Sequence, residues 1–156
     1  MGGQLFAWTD TEGARPGISG MIGASKNEAQ EKGSNMAKIL IVDDSETHLY
    51  SLQKIVEGAG HEVVTASSGE EGVEKSKSHL PDLILMDIVM PGLNGLQATR
   101  KISKDQDTAN IPIIFVTTKD QETDRVWGMR QGAAAYITKP VDKKELLKAM
   151  KEALGS

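Results

Sequence analysis

Ile39-Leu40-Ile41-Val42-Asp43-Asp44 is an aliphatic run that ends abruptly on two carboxylates. No polar residue alternates within it, so the run reads as a short strand buried on both faces, and the two acids open the loop that follows. Residues 46–58 then place Leu49, Leu52, Ile55 and Val56 at helical spacing, with Gly58 and Gly60 as breakers. The same alternation repeats along the chain. Strands are expected at 62–65, 83–86, 113–116 and 136–137, and helices at 70–78, 96–103, 121–131 and 143–154. Strands that alternate with helices in this way imply a parallel sheet covered by helices on both sides, a doubly wound α/β fold. Folds of that kind bind their ligands at the carboxyl ends of the strands.

The residues at those ends are Asp43 and Asp44 after the first strand, Asp87 after the third, Thr117 after the fourth, and Lys139-Pro140 after the fifth. Taken singly, each has an ordinary explanation. Asp44 could cap the next helix, Thr117 could sit in a turn, Lys139 could be a solvated lysine, and Pro140 could start a helix. Taken together they do not, because three crowded carboxylates repel one another unless a cation or protons relieve them. Oxygen-only donors suit Mg²⁺, which keeps part of its shell for water or phosphate oxygens. Asp87 could then serve as a carboxylate nucleophile that forms an acyl phosphate. Lys139 would balance charge on the phosphoryl oxygens, and the Thr117 hydroxyl would donate to one of them.

The rest of the chain is consistent with this. With 156 residues and a formal net charge of −4, one domain with a proper core is expected, and no Lys/Arg run marks a nucleic-acid surface. The chain has no cysteine, so no disulfide framework is possible. No apolar run approaches the ~20 residues of a membrane span, and no signal peptide is evident, so a cytoplasmic location and no membrane insertion are expected. Residues 1–35 are interrupted by glycines (Gly2, Gly3, Gly13, Gly17, Gly20, Gly23 and Gly33) and read as a flexible tag or linker. The folded domain then spans 36–156. Leu5-Phe6-Ala7-Trp8 could alternatively be a docking peptide. Gly33-Ser34-Asn35 before Met36, and Gly155-Ser156, look like cloning junctions.

The order Asp43-Asp44, Met86-Asp87, Met90-Pro91-Gly92, Thr117 and Lys139-Pro140 resembles the receiver domains of two-component signalling, over residues 38–154. The stretches 87–100 and 116–128 are similar to the PilH/PilG-type regulators of twitching motility. The resemblance implies a flavodoxin-like, CheY-like sheet of order 2-1-3-4-5. It implies phosphorylation of Asp87 by a histidine kinase of the chemotaxis type. Mg²⁺ would be ligated by Asp44 and Asp87, by Asp43 mainly through water, and by the backbone carbonyl of Val89. Lys139-Pro140 would carry a cis peptide, and Thr117 with Tyr136 would form the switch. Output would be protein binding by a single-domain, monomeric messenger to a downstream motility protein, on a surface made by the helix at 121–131, the Tyr136 strand and the last helix. Arg125 and Met129 would lie on one side of that surface, or be ordinary exposed helix residues. Trp127 would be either a packing residue or a contact, with inward packing the favoured reading. Val89 offers no polar side chain to orient water, which predicts a long-lived acyl phosphate. Lys119 either tunes hydrolysis or is only solvated.

Three other functions fit these residues less well. A receiver-fold module that acts without phosphorylation usually lacks one of the acids or the lysine, and all are present here. A flavin binder would need a phosphate-cradling loop where Asp43-Asp44 would repel the ligand. A haloacid-dehalogenase-type phosphatase wants two acids separated by one residue, whereas Asp43 and Asp44 are adjacent. His48 and His61 lack partners at metal-ligand spacing in the sequence and read as solvated or locally bonded histidines.

Overall fold

The computed structural model describes residues 36–155. The readings made for residues 1–35 and for Ser156 lie outside the described residues. The elements run β1 Lys38–Val42, α1 Glu46–Gly58, β2 Glu62–Ala66, α2 Gly69–His79, β3 Leu83–Met86, α3 Gly95–Lys104, β4 Ile113–Thr117, α4 Glu122–Arg130, β5 Ala135–Thr138 and α5 Lys143–Leu154. All pairings are parallel, and the sheet order is β2-β1-β3-β4-β5. The expected elements are all present, with ends that differ by one residue where they differ at all, the range over which helix and strand ends fray.

The unalternating strands are the central ones. In β1, β3 and β4 nearly every residue is buried, whereas the edge strands β2 and β5 are partly open. Period-two alternation splits these strands between two faces. Leu40, Val42, Ile84, Met86 and Phe115 pack with Ala98 and Ile102 of α3 and with Tyr136. The opposite parity, Ile39, Ile41, Leu85, Ile114 and Val116, is buried along with Leu52 and Val56 of α1 and Leu146 and Met150 of α5. Each such aliphatic side chain contributes about 1.5–3 kcal/mol through burial.

Local chemistry sets where the helices begin. Ser45 and Ser68 accept hydrogen bonds from the backbone N–H groups of His48 and Glu71 at 3.3 and 3.0 Å. At α3, Asn94 and Gln97 cap each other reciprocally, at 2.9 and 3.0 Å. α4 is the exception to amphipathic packing. Gly128 is its one buried residue, and Val126, Trp127 and Met129 face outward. Trp127 is 54% exposed, which corrects the expectation that it packs inward. The inner side of this helix lies too close to β4 and β5 to admit more than a glycine.

Candidate functional site

Strand register assembles the site. Val42 of β1 pairs with Met86 of β3, and Met86 pairs with Phe115 of β4. The ladder continues one step beyond the strands. Asp87 N–H donates to the Val42 carbonyl at 2.9 Å and Asp43 N–H to the Ala66 carbonyl at 3.1 Å, so both acids leave the sheet at the same level. On the other side, Lys139 N–H donates to the Thr117 carbonyl at 2.8 Å, which brings the lysine to the same rim. The Lys139-Pro140 peptide is cis, as expected.

Carboxylate oxygens of Asp43, Asp44 and Asp87 lie within 4.8 Å of one another. Asp43 and Asp87 are buried, and Asp44 is exposed at the mouth. The Lys139 ammonium, itself almost buried, donates to Asp43 Oδ2 at 2.5 Å and stands 3.6 Å from Asp87 Oδ2. Asp43 Oδ1 accepts from Ser45 N–H at 2.9 Å. Asp87 Oδ1 accepts from Val89 N–H at 3.3 Å, and Asp87 also takes a hydrogen bond from the Thr117 side chain. Burial pushes the Asp87 carboxyl above its ordinary range; Lys139 opposes that, the charge of Asp43 adds to it, and the bonds from Thr117 and Val89 N–H oppose it.

Three carboxylates against one ammonium leave a formal charge of −2. A hard divalent cation matches both that charge and an all-oxygen donor set, so the residues present fit Mg²⁺. Exposure of Asp44 and of Val89 leaves the cluster open to solvent on one side, where water or a phosphoryl group can approach.

Behind the site, the Tyr136 ring is buried and lies edge-on to Phe115, with centroids 6.2 Å apart. Its hydroxyl donates to the Lys119 carbonyl at 2.8 Å, so the loop after Thr117 is tied to the ring. The expected Thr117 and Tyr136 pair is therefore in one connected group. Arg125 is more than an exposed helix residue. Its guanidinium lies 5.1 Å from the Tyr136 ring centroid and donates to the Tyr136 carbonyl at 3.0 Å. Met129, one turn on, is exposed. The Lys119 ammonium is 3.9 Å from Asp124 Oδ1.

Two residues at the site were not anticipated from sequence. A Cβ on Gly95 would lie 2.1 Å from the Asp87 carbonyl oxygen, so only glycine lets the start of α3 press against the segment that follows β3. Its place directly after the N-cap Asn94 was the available signal. His48, read as solvated or locally bonded, instead lies with Nδ1 2.7 Å from Lys139 Nζ and 3.6 Å from Asp43 Oδ2. His61 is half-buried at the start of β2, and burial lowers its pKa.

A five-stranded sheet of this order, with acids just beyond the ends of β1 and β3, a threonine ending β4 and a lysine just after β5, defines a receiver domain. Residues 39–151 match the response regulator receiver domain, and the chain belongs to that family. Protein PilH of Pseudomonas aeruginosa is 58% identical over 120 residues, which is 77% of this chain and 99% of PilH. The polar-differentiation response regulator DivK of Brucella abortus is 33% identical over 117 residues, 75% of this chain and 95% of DivK. Among solved structures, the Vibrio cholerae chemotaxis protein CheY4 superposes with a TM-score of 0.71 at 30% identity, covering 76% of this chain and 98% of CheY4. The receiver domain of a Pseudomonas aeruginosa sensor histidine kinase, solved with a magnesium ion coordinated in its active-site cleft, gives 0.72 at 28% identity, covering 77% and 98%. Among the described residues, no helix is long and apolar enough to cross a membrane.

Proposed function

We propose that this chain is a single-domain response regulator that takes a phosphoryl group from a histidine kinase onto Asp87 and signals through altered protein binding. The observation that carries the reading is the convergence of Asp43, Asp44 and Asp87 within 4.8 Å, with the Lys139 ammonium against two of them. An Asp87 carboxylate oxygen attacks phosphorus as the bond to the donor nitrogen or oxygen breaks, and the donor departs with the electron pair. Lys139 neutralises a phosphoryl oxygen, and the Thr117 hydroxyl turns from Asp87 to donate to another. Mg²⁺, when held by Asp43, Asp44, Asp87 and the Val89 carbonyl, supplies positive charge at the oxygens of the transferred group. The buried carboxylates and the lysine do the orienting.

The likeness to PilH supports a role in twitching motility, with a chemotaxis-type kinase upstream and a motility protein downstream. We assign the output to α4, β5 and α5 of a monomeric, cytoplasmic domain at 36–156, preceded by a tag or linker. Phosphate at Asp87 draws the Thr117 hydroxyl inward and favours the inward Tyr136 ring, which shifts a population between two states of that face.

The test is incubation with Mg²⁺ and a small phosphodonor such as acetyl phosphate, followed by mass spectrometry. One acid-stable, base-labile phosphoryl group on Asp87, and tight binding of beryllofluoride only with Mg²⁺, are expected. Absence of label, or label elsewhere, overturns the reading.

A further inference from the structure

We infer that His48 is a positioning residue for Lys139, the neutral acceptor that fixes where the lysine ammonium points. The inference rests on the phosphoacceptor reading of Asp87 and adds a residue to it.

An ammonium has three donors and no acceptor, so at 2.7 Å the Lys139 Nζ and His48 Nδ1 contact has one chemically sensible form. Lysine donates, Nδ1 accepts, and the imidazole proton sits on Nε2. The bond closes a ring of hydrogen bonds around the mouth of the site. Asp43 Oδ1 accepts from Ser45 N–H at 2.9 Å, Ser45 Oγ accepts from His48 N–H at 3.3 Å, and His48 Nδ1 accepts from Lys139. Lys139 then returns to Asp43 Oδ2. The first turn of α1 thus grips the end of β1 with one hand and the end of β5 with the other.

The ring matters because of what it leaves over. Two of the three ammonium protons are committed to Asp43 and His48. The third group in reach is Asp87 Oδ2 at 3.6 Å, too far for a hydrogen bond and on the side where a phosphoryl oxygen would stand. Three roughly tetrahedral directions with two occupied leave one, and Asp87 is the next oxygen within its reach. Without His48, Lys139 would keep its charge and its pair with Asp43 but could rotate about that single bond. Its side chain would also border an open groove of about 290 Å³ between α1 and the loop that begins at Pro140. An ammonium free to turn into that groove spends less of its time aimed at Asp87. The imidazole is half-exposed, so its removal leaves the core untouched.

The experiment compares the wild type, His48→Leu and His48→Asn. Leucine removes the acceptor. Asparagine places its Oδ1 at the same branch from the backbone as Nδ1 and keeps it. With phosphoramidate at fixed Mg²⁺, His48→Leu is expected to lower the saturated rate of Asp87 phosphorylation roughly fivefold. The half-saturating donor concentration should stay unchanged, and His48→Asn should recover the rate to within about twofold. In parallel, lysine-selective ¹⁵N spectra without phosphodonor should show a Lys139 ammonium signal protected from exchange in the wild type and in His48→Asn, and lost in His48→Leu. A saturated rate in His48→Leu within about twofold of wild type, an asparagine variant that behaves like leucine, or a Lys139 signal indifferent to all three residues overturns the assignment. If the wild type takes no phosphate at all, the phosphoacceptor reading falls and the kinetic role falls with it, whereas the ammonium spectra still decide whether His48 holds Lys139.

Discussion

Gly128→Ala adds a single methyl group to α4, and the structure states what that methyl meets. Its carbon would stand 2.7 Å from Cδ2 and 2.9 Å from Cε2 of Tyr136, and 3.2 Å from Cδ2 of Phe115. Carbon atoms in contact settle near ~3.5–4.0 Å, so the ring must retreat by close to ~1 Å or leave. Staying and straining costs about 1–3 kcal/mol, the usual range for overpacking. Leaving gives up the hydroxyl bond to the Lys119 carbonyl, the edge contact on Phe115 and the Arg125 guanidinium over the ring face. Those are worth about 1, 0.5–1.5 and 0.5–1 kcal/mol respectively. Against either route stands a gain of about 1 kcal/mol from replacing glycine by alanine in a helix. The net expectation is a loss of about 1–2 kcal/mol and a fall in Tm of roughly 4–10 °C, with Tyr136 ring signals moved toward those of an exposed tyrosine. In a Tyr136→Leu background the clash is largely gone, and the same substitution should be neutral or stabilising. Thermal melts of the four proteins, with NMR of ring-labelled tyrosine, decide the matter. A Gly128→Ala protein with unchanged or raised Tm and wild-type Tyr136 shifts would show that the ring does not fill the space beside α4.

Asp87→Asn should take no phosphate, and in EDTA it should melt higher than wild type at pH 7. Asp87 titrates above its ordinary value, so the cost of ionising it builds as pH rises from about 3.8 through the raised value and is complete above it. The advantage of the variant should therefore shrink on acidification, and a constant difference from pH 7 to below pH 4 would contradict the burial argument. Glu71, held down to about 2 by the Ser67 backbone N–H and by Lys75, contributes stability that is fully present above 4.5 and lost as pH falls from 4.5 toward about 2. Urea titrations of Glu71→Gln should show its deficit against wild type narrowing from pH 6 to pH 3, and a deficit that does not narrow would remove the charge from the explanation. Thr99 Oγ1 is buried without a hydrogen-bond partner, so Thr99→Val should leave stability unchanged or raise it by up to about 1 kcal/mol, and a clear drop in Tm would reveal a bond to that hydroxyl. Thr117→Ala should still accept phosphate at Asp87, but beryllofluoride should no longer shift the Tyr136 ring signals. A wild-type response would exclude Thr117 from the switch.

The parts legible from sequence were those with a local cause. Ile39 to Val42 reads as a buried strand because nothing polar interrupts it. Asp43, Asp87, Thr117 and Lys139 are legible because each directly follows or ends such a run, and parallel pairing brings run-ends together. His48 was not legible, since its partner Lys139 is 91 residues away and no spacing rule marks the pair. Trp127 misled for a related reason. Hydrophobicity says how much a side chain gains from burial, but whether room exists is set by how near α4 lies to the sheet, and there Gly128 takes the inner position. Arg125 looked like a surface charge because its acceptor, the Tyr136 carbonyl, belongs to a strand it meets only after folding.

Lys139 directly follows β5, the edge strand of the sheet, and lies 96 residues after Asp43, with which it pairs. A chain is made from its amino end, so the three acids are all synthesised before the lysine that offsets them. A nascent or truncated chain that stops short of residue 139 has the carboxylates of β1 and β3 without that ammonium, and their repulsion opposes closure of the rim. Adding β5 to the open edge disturbs no earlier pairing, and it delivers the missing charge in the same motion. On the proposed reading of the site, completion of the sheet and readiness for chemistry are one event, and a fragment ending before β5 is expected to take no label from a phosphodonor.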